Sequence, residues 1–258
     1  HPPAMPPWRV LKSRIVPQIT FKHEWTLAVF TVLVAALLGA IAARQAGVSD
    51  LDWRVFLGLG AGGMALSASH LGRRERSWRA ALHLDTSWLS REIVLVGAFL
   101  GLGSADLFLT DSPGWLGWLV VVTGYLALAG IDRVYTVATI RGAGPLHSAM
   151  ALGTGLLLAA AMSGIWLPAV SVAFVKAVLY ATRIHSRAGM GLPRIDLLVW
   201  VRLGSLGAGL GLMLMDQVWP GLALVLIGEL VDRGEFYEEL EIPTPNSLLF
   251  DELERRQA

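Results

Sequence analysis

The stretch WTLAVFTVLVAALLGAIAA, residues 25–43, decides the fold class because it runs without a single charged residue. About 20 apolar residues in a helix are needed to cross the hydrocarbon core of a bilayer, and this stretch is long enough. It follows a Pro-rich, basic segment and lacks the small-residue cleavage site of a secretory signal. We therefore expect it to be retained as the first membrane-spanning helix.

Seven further apolar stretches follow, separated by short connectors that carry nearly all the charge. The composition agrees, with 54% hydrophobic and 16% charged residues, whereas soluble proteins carry about 25% charged residues. We predict an all-α, polytopic membrane protein, a bundle of about eight transmembrane helices. The predicted spans are 25–43, 53–70, 91–109, 115–139, 146–162, 166–183, 195–215 and 217–233, of which the fifth, sixth and eighth are short.

The basic residues fall mostly in every second connector, which predicts an orientation. The opposite face, called face B, receives Arg44 and Arg54. Face A receives most of the others, namely Arg9, Lys12, Arg14, Lys22, Arg73, Arg74, Arg76, Arg79, Arg91, Arg141, Arg183, Arg187, Arg194 and the C-terminal arginines. The positive-inside rule makes face A cytoplasmic, with both termini inside the cell inner (plasma) membrane. The chain then divides into a cytoplasmic N-terminal segment (1–24), an eight-helix transmembrane domain (25–233) and an acidic C-terminal tail that docks on a partner (234–258).

Composition excludes several kinds of site. The absence of cysteine excludes disulfides, thiolate zinc sites and iron–sulfur ligation by this chain. A net charge of +1 gives no reason to expect nucleic acid as a partner. The interior histidines all fall near face A, which excludes a two-haem path across the bilayer and leaves a single haem near face A open. They are His23, His70, His83, His147 and His185.

His70 ends the second predicted span and Glu92 opens the third, so both lie at the face A boundary on adjacent helices. A carboxylate at the edge of the hydrocarbon is unfavourable unless it is paired or functional. Quinone chemistry needs such a pair, because one group bonds a ring oxygen and the other carries a proton. A structural His–Glu contact that fixes the connector is the alternative.

More polar residues reach the same boundary. Arg133 and Tyr135 fall toward the face A end of the fourth predicted helix, and Glu229 and Arg233 toward that of the eighth. Ion pairing between helices is one interpretation; the other makes them the wall and proton path of a quinone pocket. Lys176 lies deeper and should be paired or face a cavity, with Arg202 as its candidate neighbour.

Two features of the connectors and spans carry weaker predictions. The connector from Arg73 to Ser90 is basic and contains Trp78 and Trp88, which favours an interfacial segment or a landing surface for a soluble partner. Glycine-rich patches at 58–63 and 204–211 predict close approach between helices.

Several of these motifs resemble those of one family. The run from His70-Leu71-Gly72 to Ser87-Trp88-Leu89-Ser90-Arg91-Glu92-Ile93 is similar to the signature of the membrane-anchor subunits of dimethyl sulfoxide reductase-type complexes, the DmsC family. The segments Arg133-Val134-Tyr135 and Gly228-Glu229-Leu230, with Arg233 and Phe236-Tyr237, resemble further motifs of that family, as does His23-Glu24-Trp25.

The resemblance implies a haem-free anchor with no metal site of its own, which exchanges electrons and protons with menaquinone or ubiquinone. Its partners would be an iron–sulfur subunit and a molybdopterin catalytic subunit, which alone carry those cofactors. The family's quinone-site histidine and glutamate fall on His70 and Glu92. A proline usual after His-Leu-Gly is replaced here by arginine-rich sequence. The inward-facing positive charge is more similar to cytoplasm-facing sulfite dehydrogenases than to dimethyl sulfoxide reductases.

We therefore expect an electron-transfer anchor with a quinone site formed by His70 and Glu92, supported by Arg133, Tyr135, Glu229 and Arg233. Two alternatives stay open. A transporter or channel would line its path with the scattered charges, although such proteins usually place polar residues at mid-depth in broken helices. A purely structural anchor would have no quinone site.

Overall fold

The computed structural model describes residues 21–69, 83–109, 111–135, 139–140, 146–189 and 196–241. In this part of the chain the fold is helical, with one short pair of two-residue strands. The predicted all-α class and the number of helices are confirmed. The helices are α1 (Phe21–Gln45), α2 (Trp53–Ala68), α3 (Trp88–Phe108), α4 (Gly114–Val134), α5 (Ala151–Met162), α6 (Trp166–Gly189), α7 (Asp196–Leu214) and α8 (Val218–Glu239).

Four of the described helices are long and apolar enough to cross a membrane, which identifies a membrane protein. The stretches that meet this criterion are Glu24–Gln45, Gly114–Val134, Trp166–Ser186 and Leu197–Leu214. Large apolar side chains on these helices, such as Trp118, Phe174 and Trp200, are exposed. The 12 residues of α5 extend only about 18 Å, which is less than the hydrocarbon thickness of about 30 Å.

Helix α1 lies at the centre of the bundle and packs against α2, α4, α5 and α8. Its buried face includes Leu38 and Ile41, and the core continues through Phe56 on α2 and Phe99 on α3. The rings of Phe56 and Phe99 meet edge to face with centroids 5.4 Å apart. Sequential helices run in opposite directions, so their ends gather at two faces.

An ion pair joins α1 and α3 at the face B end of the bundle. Arg44 on α1 donates a hydrogen bond of 2.7 Å to Asp106 on α3, whose side chain is only 1% exposed. The neighbouring amide of Gln45 lies 3.5 Å from the same carboxylate. Helix α2 begins at this face, where Asp52 accepts the backbone N–H of Arg54 at 2.7 Å.

The fourth predicted helix is shorter at its face A end, and the fifth starts later. Helix α4 ends at Val134 instead of 139, and residues 139–140 form β1, which pairs antiparallel with β2 at 240–241. Helix α5 begins at Ala151 instead of 146. The physical reason is that the Asp132 carboxylate accepts the backbone N–H groups of Ala151 at 2.8 Å and Leu152 at 3.0 Å, where the positive end of the helix dipole stabilises an anion.

Helix α8 is longer than predicted, because it continues past 233 to Glu239. Residues 234–237 are buried in the bundle. Their charged sequence predicts the start of an acidic C-terminal tail, whereas in the structure these residues belong to α8. The acidic side chains are accommodated inside the protein because cationic side chains from α6 and α7 reach the same face of α8.

One of the two glycine-rich patches brings two backbones into contact. A Cβ on Gly209 of α7 would lie 2.7 Å from the carbonyl oxygen of Gly221 on α8, and the reverse distance is 2.5 Å. Larger residues would push α7 and α8 apart, so the predicted close approach is confirmed at these positions. In the patch at 58–63, Gly60 and Gly63 pack against leucine side chains, whereas Gly58 and Gly62 have open space around them.

Candidate functional site

Helix α8 carries a buried polar face toward face A. Glu229, Asp232, Arg233 and Glu235 are each no more than 4% exposed. Their spacing of three or four residues keeps them close together along the helix. Because an ionised side chain is costly to bury unless it is paired, the position of each counter-charge defines what this face can do.

The carboxylate of Glu229 forms ion pairs with one cation on α6 and one on α7. Its carboxylate lies 3.1 Å from Nζ of Lys176 on α6 and 2.8 Å from Nη2 of Arg202 on α7. Thr154 on α5 donates its hydroxyl to the same carboxylate. The expectation that Lys176 is paired and has Arg202 as a neighbour is therefore confirmed, through a shared anion.

Asp232 and Glu235 continue this ion network toward face A. Asp232 accepts hydrogen bonds from Ser148 Oγ at 2.8 Å and Arg202 Nε at 3.2 Å, and lies 3.3 Å from Arg183 Nη2. The same Arg183 nitrogen lies 2.6 Å from Glu235. We call the connected side chains on α6, α7 and α8 the ion network; they are Lys176, Arg183, Arg202, Glu229, Asp232 and Glu235. Glu239, also on α8, lies 3.5 Å from Nη1 of Arg183, so the three cations of the network face four carboxylates.

The turn at residues 147–150 lies at the edge of this network. The ring of His147 is 4% exposed, and its Nδ1 accepts the backbone N–H of Ala149 at 3.0 Å. Its Nε2 lies 2.8 Å from Arg183 Nη1 and 3.3 Å from Glu239. Since both ring nitrogens are engaged, His147 is not placed to ligate a haem. His83 and His185 are exposed, and His70 lies outside the described residues.

Arg233 is the centre of a second group, which we call the Arg233 cluster and which comprises Arg233, Tyr135, Phe236 and Tyr237. The guanidinium carbon lies 5.2 Å from the centroid of the Tyr135 ring, 4.7 Å from Phe236 and 5.3 Å from Tyr237. The two tyrosine hydroxyls are 3.0 Å apart. One guanidinium nitrogen, Nη1, donates to the carbonyl of Ala149 at 2.9 Å. The 147–150 turn therefore touches both the ion network and the Arg233 cluster.

The charge on Arg233 is less well neutralised than that of its neighbours. Arg183 and Arg202 each have a carboxylate oxygen within 2.8 Å. For Arg233 the carboxylate contact among the described residues is Asp132, at 3.7 Å. Asp132 already accepts two backbone N–H groups of α5. Within the described part of the chain, two nitrogens of Arg233, Nε and Nη2, are buried without a hydrogen-bond acceptor, compared with one each for Arg183 (Nε) and Arg202 (Nη1).

Glu92 lies near the N-terminal end of α3. Its side chain is half-buried. Helices α3 and α4 pack closely here, since a Cβ on Gly130 would lie 3.6 Å from Cα of Glu92. The structure thus brings Tyr135 and Arg233 into contact and places Glu92 on α3, which packs against the helix that carries Tyr135.

The other predicted residues lie elsewhere or outside the described chain. Arg133 is exposed, and its guanidinium carbon is 5.7 Å from the Trp88 ring. Glu229 belongs to the ion network and not directly to the Arg233 cluster. For the predicted pair of His70 and Glu92, only Glu92 is among the described residues.

Trp88 and Arg91 build the described end of the connector. Arg91 stacks on Trp88 at 4.5 Å and donates to the carbonyls of Leu84 at 2.7 Å and Asp85 at 2.9 Å. Ser87 caps α3 through the backbone N–H of Ser90. This arrangement fixes the position at which Glu92 enters the bundle. The remainder of the connector, with Trp78, lies outside the described residues.

Sequence reasoning does not assign Arg183, Glu235 or Tyr237 to the site. Arg183 counts there only as a face A charge, although it lies seven residues after Lys176 and therefore on the same face of a helix. Glu235 and Tyr237 fall in the segment after the last predicted span. Their inclusion follows from the extension of α8 to Glu239.

Comparison with known proteins gives one partial similarity. The chain is 41% identical over 56 residues to a curated sulfite dehydrogenase component, the C subunit of the enzyme from Allochromatium vinosum. These residues make up 22% of this chain and 16% of that protein, so most of both proteins lies outside the match. No protein-family model and no solved structure matches the chain.

Proposed function

We propose that this chain is the membrane-anchor subunit of a molybdopterin oxidoreductase complex and exchanges electrons and protons between a quinone pool and an iron–sulfur partner subunit. The complex is of the sulfite dehydrogenase or dimethyl sulfoxide reductase type. The partial similarity to a sulfite dehydrogenase subunit favours the first. Localisation in the inner (plasma) membrane with face A toward the cytoplasm is part of the same proposal.

The observation that carries the proposal is the contact of Arg233 with Tyr135 at the face A end of an apolar helical bundle, where α3 packs against α4 at Glu92. A quinone, menaquinone or ubiquinone, carries two electrons and two protons between its oxidised and reduced forms. Its ring needs apolar surroundings, a hydrogen-bond donor for a ring oxygen, and a group that holds a proton. We assign these three features to the apolar bundle, Arg233 and Glu92.

Each residue has a defined part in this proposal. Glu92 and His70 hold and transfer protons at the edge of the hydrocarbon, where a carboxylate or imidazole changes its charge readily. Tyr135 and Arg233 orient the ring, and Arg133 with Trp88 borders the entrance from the membrane surface. Glu229 acts at a distance, since its contacts with Lys176 and Arg202 hold α8 in place. The molybdopterin and iron–sulfur clusters belong to partner subunits.

The buried charges near mid-depth support this proposal over a transporter. Lys176 and Glu229 lie near the middle of α6 and α8, Arg202 lies in the first half of α7, and Glu229 binds both cations. A transport path would require some of these groups to be available to a substrate.

The alternative of a structural anchor without a quinone site predicts a different result. Substitution of Glu92 would then leave both the assembly and the activity of the complex unchanged.

Purification of the complex tests the proposal. The full chain, tagged and extracted in mild detergent, should copurify with a large subunit that contains molybdenum and a smaller subunit that contains iron and acid-labile sulfide. Metal analysis of the purified sample provides the readout, and the same extraction from cells that lack the tagged chain provides the control. Purification of the chain alone, with neither metal, would refute the proposed function.

A further inference from the structure

Arg233 has an environment that none of the other described buried cations has. It is 2% exposed, three aromatic rings surround it, and its carboxylate contact among the described residues is 3.7 Å away. Nη1 donates a hydrogen bond of 2.9 Å to the carbonyl of Ala149. The other two nitrogens, Nε and Nη2, form a donor fork that has no acceptor among the described residues.

Burial of such a fork without an acceptor is unfavourable. An unsatisfied charged donor in a protein interior loses the hydrogen bonds that it made in water. Arg202 lies beside two carboxylates and leaves one described nitrogen, Nη1, without an acceptor, whereas Arg233 leaves two. No carboxylate of the described residues accepts a hydrogen bond from the fork of Arg233. Its geometry matches an oxygen acceptor from outside the chain, since guanidinium forks bind oxygen atoms through two parallel N–H groups.

The surroundings restrict the chemistry of that acceptor. The rings of Tyr135, Phe236 and Tyr237 favour a flat, apolar molecule over a hydrated anion. The under-neutralised positive charge favours an oxygen that carries, or acquires, negative charge. A quinone combines these properties, because its ring is flat and one-electron reduction places a negative charge on its oxygens until a proton arrives.

We infer that Arg233 is the residue that binds a ring oxygen of the quinone, and that it stabilises the anionic one-electron-reduced ring. This inference rests on the proposed function, in which the electron is supplied by the iron–sulfur subunit. In one step the ring accepts one electron and becomes an anion held by Nε and Nη2. A second electron from the same subunit and two protons from water at face A then complete the quinol, with Glu92, whose Cα packs against Gly130 of α4, as the group that passes the protons on.

Quinone binding to the purified complex tests this role. Equilibrium binding of a short-chain quinone is measured for the wild type, Arg233→Lys, Arg233→Gln and the control Arg54→Gln, which removes an exposed charge at face B. Loss of charge-assisted hydrogen bonds predicts affinity lower by about tenfold to a hundredfold in Arg233→Gln. Arg233→Lys keeps the charge without the fork, so its quinone affinity should lie between those of the wild type and Arg233→Gln. The affinity of Arg54→Gln should match that of the wild type.

A radical measurement separates binding from a merely structural role. During a redox titration, the wild type should show a semiquinone signal by electron paramagnetic resonance, which is diminished in Arg233→Lys even at saturating quinone. If Arg233→Gln fails to assemble, the wild type and Arg233→Lys still decide the question.

Infrared spectroscopy tests the hydrogen bond to the ring oxygen directly. The spectrum of carbonyl-labelled quinone bound to the wild type should show one carbonyl band shifted by strong hydrogen bonding.

The outcomes distinguish this inference from the function on which it rests. Equal quinone affinity and equal radical yield in the wild type and Arg233→Lys, with two equivalent carbonyls, would overturn the inference and leave the function standing. A wild-type complex that contains molybdenum and iron but binds no quinone would overturn both. Displacement of an anionic phospholipid from Arg233, with no effect of added quinone, would assign the fork to a lipid phosphate and also refute the inference.

Discussion

Asp232 is the position at which the ion network should be most sensitive to substitution. Its carboxylate is fully buried and accepts bonds from Ser148 at 2.8 Å and Arg202 at 3.2 Å, with Arg183 at 3.3 Å. In Asp232→Asn the volume is unchanged, but two buried guanidinium groups lose a counter-charge. Breaking a buried ion pair by removing one partner destabilises proteins by about 3–5 kcal/mol.

Thermal unfolding in detergent measures this effect. At about 2–4 °C per kcal/mol for a chain of this size, Asp232→Asn should lower Tm by about 6–20 °C. Glu238→Gln is the matched control, because Glu238 is an exposed acid on the same helix, and it should change stability by no more than about 0.5 kcal/mol. Equal Tm values for the two variants would show that the buried ion network does not stabilise the bundle, and the reasoning from its distances would be refuted.

Two further substitutions test the packing and the face B end. Gly209→Ala should destabilise the protein by about 1–3 kcal/mol because its new Cβ meets the backbone of α8. The control Gly207→Ala, which has open space around it, should be neutral or stabilising through helix propensity. An equal change in Tm for the two variants would contradict the backbone contact. Arg44→Gln should destabilise by about 1–3 kcal/mol because it leaves Asp106 buried without its cation. The exposed Arg54→Gln should change Tm much less, and a comparable loss in both would argue against a specific role for the Arg44–Asp106 pair.

The number of helices and the gathering of polar groups near face A were predictable because hydropathy depends on local composition. A span such as 25–43 is recognised wherever it packs. The pairing of Lys176 was predictable for a similar reason, since a cation deep in an apolar helix requires a counter-charge. These predictions needed no knowledge of which helices are neighbours.

The membership of the two clusters was not predictable, because it depends on tertiary packing. Glu229 and Arg233 are four residues apart on α8, yet one binds Lys176 and Arg202 and the other faces Tyr135. Their separation results from the positions of α4, α6 and α7 around α8. A sequence pattern gives the face of a helix but not the identity of the helix that covers it.

The ends of helices were also poorly predicted near face A. Residues 234–239 are strongly charged, so hydropathy places them in a tail, whereas cations from other helices allow α8 to continue through Glu239. Likewise, α5 starts at Ala151 because Asp132, on α4, accepts its first N–H groups. Both boundaries depend on contacts between residues that are far apart in the sequence.

Quinone turnover in membranes that contain His70→Ala or Glu92→Gln is the most direct test of the central claim, which is that acid–base groups at the face A rim serve a quinone. Electron transfer between quinol and an artificial acceptor is measured in matched membranes, with Glu238→Gln as the control and the amount of assembled complex checked by immunoblot. The account predicts a loss of at least about tenfold for Glu92→Gln, in the range usual for a proton-transfer group, a loss for His70→Ala, and normal turnover in the control. Unchanged turnover in both variants, with normal assembly, would contradict it.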